Sequence, residues 1–213
     1  SITEGDMKDV KVVSGCKKKL FSVGIKADKF APVSVEQQKM LKQKHGFDPS
    51  KPLVIHVGHC SKGRGLEDFA KIHTAQRMVV ASGMFEDENV VRVLNDAKAK
   101  IHKGYLENVE EVYQMADAYL FPTRSAEFVI SIPLSVMEAL SSGVPVIGYK
   151  SFENLNEITG SEGAITLIDN AEQLDEVLPE VIKKKSDHSL LEKTGSWGDV
   201  AQSVLRMVQE ENA

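Results

Sequence analysis

The sequence predicts an α/β protein built as one doubly wound, mostly parallel sheet of about six strands, with helices on both faces. Three observations carry this. Short apolar, β-branched runs such as Pro52-Leu-Val-Ile-His-Val57 and Ala118-Tyr-Leu-Phe-Pro122 suit buried strands. Between such runs lie segments with helical spacing, and that alternation marks crossover-linked parallel strands. With 213 residues and no stretch of linker composition, the chain is long enough for one large domain with a substantial core.

Taken in order, Glu4 to about Val12 is a short candidate helix with Thr3 as its cap, and Lys17-Lys-Lys19 reads as a solvated basic edge. Leu20 to Ile25 suits a short strand, and Asp28-Lys-Phe-Ala-Pro32 a turn. Ser34 with Gln37 three residues on is a capping-box pattern opening a helix through about Lys44, which Gly46 stops. After the Pro52–Val57 strand comes a glycine-rich loop, Gly58 to Gly65, and a helical pattern from Leu66 to about His73. Val79–Ser82 is a strand, and a polar helix runs to about Ala99. Ile101–Leu106 is a short strand and turn, and Glu110–Ala116 a helix. Asp117, just before the Ala118 strand, reads as structural. Glu153–Ile158 is a loop or short helix, Ala164–Ile168 a strand and Glu172 to about Lys185 a helix. A last amphipathic helix runs from Trp197 to Glu210, with Val200, Val204, Leu205 and Val208 on one side.

The stretch around which the chain is organised is Ile130 to Ile147. Pro133 suits a first helical position, because its φ is preset and its missing N–H has no helical partner there. Ser131 is placed to cap that end. Leu134, Met137 and Leu140 give the helix an apolar face. Gly143 closes it, Pro145 prevents its continuation, and Val144–Ile147 begins a buried strand.

Composition excludes several classes. A formal net charge of −5 is not the basic footprint of a nucleic-acid binder. No apolar run approaches the roughly 20 residues of a membrane helix. The first residues lack the charged and apolar regions of a signal peptide. The two cysteines, Cys16 and Cys60, have no metal-type spacing and read as free thiols in a reducing compartment. No Ser-His-Asp set or metal cluster is evident, so the expectation is a soluble intracellular protein without a metal.

Two loops remain as candidate sites, both at carboxyl ends of expected strands, where α/β sheets bind ligands. In the first, Gly58 and its fellow glycines let backbone approach a phosphate, while His59, Lys62 and Arg64 supply donors and charge. The pattern is neither that of a dinucleotide fold nor of a nucleoside triphosphatase. Arg64 suits a bidentate clamp on a diphosphate. In the second, the N-terminus of the Pro133 helix favours an anion. Glu138 lies among Val136, Met137 and Ala139, where a charge needs a partner, and a carboxylate there is a natural acceptor for sugar hydroxyls.

These residues resemble a known family. The chain is similar, over nearly its whole length, to the C-terminal nucleotide-sugar-binding domain of retaining GT-B glycosyltransferases, one Rossmann-like half of that fold. Members run Val-Gly-Arg, four variable residues, Lys-Gly, and this chain has Val57-Gly-His, four residues, Arg64-Gly65. A strand ending in Pro-Ser or Pro-Thr matches Pro122-Thr123. The family pattern Pro-Leu-Ser-Val-x-Glu-Ala-x-x-x-Gly-x-Pro-Val-Ile is followed closely from Pro133 to Ile147. Phe30-Ala-Pro32 resembles the turn near that domain's start, and Ser196-Trp197 the start of its closing helix.

The resemblance implies that Arg64 and His59 contact a donor diphosphate, with the N–H groups near Leu134 and Ser135 pointing at it. Glu138 would bond the ribose, and the base would lie by Gly104-Tyr105-Leu106. Two positions depart from the pattern: His59 replaces the usual arginine, and Ile130 stands where a glutamate touches the transferred sugar. Glu127, three residues earlier, is the one acidic residue near enough to substitute. The implied function is hexosyl transfer from a UDP- or GDP-sugar, without a cofactor, to a glycan, lipid or protein acceptor. That acceptor would be held by an N-terminal domain absent from this chain, so the isolated domain is expected to turn over little. The expected setting is cytoplasmic, with peripheral membrane association as an option. A nucleotide-sugar epimerase or hydrolase, and a non-catalytic nucleotide-sugar-binding module, are alternatives. A receiver-like domain would need an acidic cluster at a strand end, and none is present.

Overall fold

The computed structural model describes residues 24–26, 28–82, 86–130, 132–158, 163–184 and 196–211. The strands are β1 Leu53–Gly58, β2 Gln76–Ala81, β3 Lys100–Lys103, β4 Ala118–Leu120, β5 Val146–Tyr149 and β6 Ile165–Ile168. The α-helices are α1 Val35–Lys44, α2 Glu88–Asp96, α3 Val109–Gln114, α4 Leu134–Ser141, α5 Leu174–Lys183 and α6 Trp197–Glu211. All neighbouring strands pair in parallel, in the order β3-β2-β1-β4-β5-β6. The chain therefore winds outward from β1, returns to the centre at β4 and winds outward the other way. β1 and β4 are the neighbours at which the winding reverses, and a crevice opens outside their carboxyl ends.

Side chains of the central strands alternate between two cores, as period-two geometry requires. Leu53, Ile55, Met78, Val80 and Tyr119 face a layer containing α1, α3 and α4. Val54, Val79, Ala118 and Leu120 face the other, which contains α2, α5 and the turn of 3-10 helix Leu66–Lys71. Ser34 caps α1 as its pattern predicts, its hydroxyl accepting the Gln37 N–H at 3.2 Å. Asp117 has a structural role at the amino ends of the strands: its carboxylate accepts from Lys42 Nζ at 2.5 Å, the Leu53 N–H at 2.7 Å and Gln38 Nε2 at 3.1 Å. Lys42 is only 4% exposed, so this charge is buried as a pair.

The helical pattern from Leu66 is realised as a 3-10 helix, Leu66–Lys71. Leu66 and Phe69, three residues apart, are both fully buried, which a three-residue period satisfies. The segment then ends at Lys71, where the Asp175 carboxylate receives the His73 and Thr74 N–H groups. Pro133 is the N-cap of α4 rather than its first helical residue. Ile25 makes a single parallel bridge to Ser196. The expected helix at 4–12, the basic run at 17–19, most of the 20–25 strand, Cys16 and Ser131 lie outside the described residues.

Candidate functional site

The loop after β1 is held close to the loop after β4. Gly65 has φ +75°, and a Cβ there would lie 2.5 Å from the Pro122 carbonyl oxygen. Gly63 has φ +87°, and its Cβ would lie 2.5 Å from the Phe128 ring. Only glycine combines that backbone conformation with so close an approach. Thr123 Oγ1 donates to the Arg64 carbonyl at 3.4 Å. Behind the loops, the Asp68 carboxylate accepts from Arg124 at 2.8 Å and from the Tyr149 hydroxyl at 2.5 Å. The Arg124 guanidinium stacks 3.8 Å from the Tyr149 ring. This cluster ties the 3-10 turn, the β4 loop and β5 together.

Arg64 is half-buried at the crevice, and its guanidinium makes no hydrogen bond or ion pair among the described residues. Burial pulls it below its ordinary value, and the neighbouring Tyr119 opposes that. An arginine remains charged at neutral pH even so. Across the crevice, α4 begins at Leu134 behind Pro133, with no side chain capping it. The Pro133 carbonyl receives the Val136 and Met137 N–H groups at 3.1 and 3.3 Å. The N–H groups of Leu134 and Ser135, the first two of the helix, have no acceptor among the described residues and are placed to meet an incoming one.

Tyr119 stands between the two loops. Its hydroxyl lies 3.2 Å from the Val57 carbonyl and 2.8 Å from Ser135 Oγ. Its ring stacks on Tyr113, centroids 5.9 Å apart, and the Tyr113 hydroxyl donates to Glu138 Oε2 at 2.8 Å. Burial pushes both phenols up, so both stay protonated and serve as fixed dipoles. Burial also raises the Glu138 carboxyl, against the pull of the Tyr113 hydrogen bond and of Lys29. Thus Arg64 and Glu138 share one neighbour, Tyr119, at the same end of the sheet.

Glu138 faces a cavity of about 230 Å³ that Lys26, Lys29, Phe30, Leu134 and Trp197 also line. Lys29 is ion-paired to Glu110 at 3.0 Å, donates to the Glu107 carbonyl at 3.4 Å, next to the Gly104–Leu106 turn, and feels the charge of Glu138. It therefore links the Gly104-Tyr105-Leu106 turn to the Glu138 side of the crevice. In that turn Gly104 has φ +90°, Tyr105 is 89% exposed and Leu106 packs on the core. His59 is tied by its Nδ1 to Ser82 Oγ at 2.9 Å, and Lys62 is exposed at the tip of its loop. Glu127 is exposed in the 3-10 turn Ala126–Phe128, and Ile130 is also exposed. Cys60 is buried, and burial pushes its thiol up to about 11, so it is no thiolate nucleophile at neutral pH. Among the described residues no group of three or more His, Cys, Asp or Glu is arranged to hold a metal ion, and no helix is long and apolar enough to cross a membrane.

Lys29, Tyr113, Tyr119 and the Asp68–Arg124–Tyr149 cluster were not among the residues singled out from sequence. Each acquires its role through a partner distant in the chain, and local signals gave at most a place in an element, as for Lys29 in a turn and Tyr119 in a buried strand.

The all-parallel doubly wound sheet matches one half of the GT-B glycosyltransferase fold. The chain belongs to the glycosyl transferases group 1 family, whose pattern matches residues 52–184. Sulfoquinovosyl transferase SQD2 of Arabidopsis thaliana is 27% identical over 139 residues, 62% of this chain and 26% of that one. The structure resembles Anabaena HepE, solved with UDP and glucose, at a TM-score of 0.71 and 14% identity over 90% of this chain and 56% of that chain. A glycosyltransferase from Rickettsia africae follows at 0.67 and 15% identity over 88% and 55%. The chain thus spans about a quarter of the curated relative and just over half of these solved structures.

Proposed function

We propose that this domain binds the donor of a retaining hexosyl transfer, a UDP- or GDP-linked sugar, in the crevice between the β1 and β4 loops. The observation that carries this reading is the pairing of the Arg64 guanidinium with the first N–H groups of α4, none with a partner among the described residues, and of Glu138 one turn further along that helix. In the proposed roles, Arg64, the Leu134 and Ser135 N–H groups and Lys62 receive the diphosphate. His59 donates to a phosphate or sugar oxygen through the nitrogen that Ser82 leaves free. Glu138 accepts from the ribose hydroxyls, and the base lies against the Gly104–Leu106 turn. As the sugar–phosphate bond breaks, charge grows on the departing diphosphate, and a fixed cation beside a helix N-terminus stabilises that charge. HepE was solved with UDP and glucose, which supports the uridine form of this reading. The acceptor, a glycan, lipid or protein, would be held outside this domain, on the cytoplasmic side.

Titration calorimetry with UDP, GDP, ADP and their sugars tests the reading, and absence of binding by all of them to the folded chain would overturn it. Two variants separate the roles. Arg64→Ala should weaken UDP by about 10- to 100-fold, the range of a charged hydrogen-bonding pair, and leave uridine unchanged. Glu138→Ala should weaken UDP and uridine alike, because both carry the ribose.

A second reading, a binding module without transfer, is favoured by Ile130, an apolar and 55% exposed side chain where the family pattern has a glutamate. It predicts tight UDP-sugar binding with no sugar release even when an acceptor-binding domain is supplied.

A further inference from the structure

His56 lies on β1 directly beneath the proposed diphosphate site and is 1% exposed. Its Nδ1 lies 3.0 Å from the Leu120 carbonyl oxygen, which only accepts, so Nδ1 carries the proton and Nε2 is a bare acceptor. Nε2 has no hydrogen-bond partner among the described residues. A buried acceptor left unpaired is costly, and one that persists calls for a reason. Gly58 supplies the geometry: a Cβ built there would lie 2.8 Å from His56 Nε2 and 3.6 Å from Arg64 Nη1. Nε2 and the guanidinium thus both lie within 4 Å of the one point that a side chain at Gly58 would fill. Burial holds the imidazole neutral, its value lowered to about 4, so no charge opposes the guanidinium.

We infer that His56 is a positioning residue for Arg64: as the diphosphate binds, the guanidinium turns one N–H to the unpaired Nε2, which so aims the opposite edge of the fork at the diphosphate. This rests on the donor-binding reading above and adds a residue that does not itself touch the ligand. Without such an acceptor behind it, the guanidinium keeps its charge but loses the fixed orientation on which bidentate recognition depends.

A double-mutant cycle on the full chain, read by calorimetry, tests this. His56→Phe keeps a flat ring without an acceptor and should weaken UDP about tenfold while uridine binds as before. In an Arg64→Ala background the same change should add no further loss. His56→Gln, which restores an acceptor oxygen, should recover part of the affinity. As a readout free of any substitution at His56, the imidazole Nε2 ¹⁵N resonance of the wild type should shift when UDP is added, and should not shift in Arg64→Ala. Unchanged UDP affinity in His56→Phe, equal losses for UDP and uridine, additivity in the cycle, or a static resonance would each overturn the inference while leaving the donor site standing. A wild-type chain that binds no nucleotide would instead remove the donor site, and this inference with it.

Discussion

Glu138 shows how a single residue carries opposing demands. Its carboxyl is held in a largely buried setting by one phenol and faces a cavity beside Lys29. Burial raises its pKa above the ordinary 4.5, so the folded protein holds this proton more tightly than the unfolded chain does. The stability this group contributes is therefore complete below pH 4.5 and is lost as pH rises through the raised folded value. Ionising the carboxylate in this buried setting costs the fold stability, and a ribose with two hydroxyls would offset that cost. Glu138→Gln keeps an oxygen for the Tyr113 hydroxyl and removes the charge. It should melt no lower than the wild type at pH 7, with any margin shrinking as pH falls toward 4.5, while its affinity for uridine drops. Thermal melts of both proteins between pH 4 and 8 check this, and the comparison cancels Asp68, whose carboxyl burial raises in the same direction. A variant that is less stable at pH 7 by an amount independent of pH would show Glu138 to be a structural residue.

At the scale of elements, the crevice depends on how closely the β1 loop lies on the β4 loop, and the two glycines that permit it differ in what they meet. Both have positive φ, so alanine at either is strained by about 1–2 kcal/mol. Beyond that, Gly65 abuts the Pro122 backbone, which cannot move without shifting β4, whereas Gly63 abuts a Phe128 ring that is 40% exposed and free to swing aside. Gly65→Ala should therefore lower both stability and UDP affinity more than Gly63→Ala, as denaturant midpoints and calorimetry would measure. Equal effects would mean that the loops are not locked through backbone contact. These glycines and the Pro133–Ile147 helix-to-strand unit were legible in the sequence because their constraints are local: a φ that only glycine takes freely, a proline that opens a helix and a glycine that ends one. The strands were legible as apolar runs. What could not be read were contacts made across the chain. The helical pattern after Gly65 takes the 3-10 form, and it ends where Asp175, a hundred residues on, takes the N–H groups of His73 and Thr74. Glu138 was recognised as a charge needing a partner, but that the partner is Tyr113 follows only from how α3 packs on α4. His56 read simply as part of a strand, since nothing beside it in sequence marks its unpaired nitrogen.

For the whole molecule, sheet order does most to place the chemistry, because it makes β1 and β4 neighbours although more than fifty residues separate them. The proposed ligand then touches three loops that all leave the carboxyl end of one rigid sheet, after β1, β3 and β4. Binding should stabilise the fold as a unit rather than order a single loop. For a ligand that binds only the folded state, the gain at a hundred times its Kd is about 2.7 kcal/mol. Saturating UDP should raise the melting temperature as one cooperative shift, with UMP raising it less and uridine less again, in the order of phosphates available to Arg64 and α4. Catalysis is a separate matter. The chain spans 56% of HepE and 26% of the curated relative, and the proposed crevice is flanked by exposed Tyr105, Leu134 and Trp197. A crevice so open leaves the sugar–phosphate bond in water, where a fixed cation is screened and transition-state charge is poorly stabilised. The chain alone should therefore bind UDP-glucose with little change in affinity from UDP and release glucose no faster than a buffer control, followed by chromatography of the products. Rapid release by the chain alone, abolished by Arg64→Ala, would show that this domain carries a complete hydrolytic site and would favour the hydrolase alternative over donor binding for transfer.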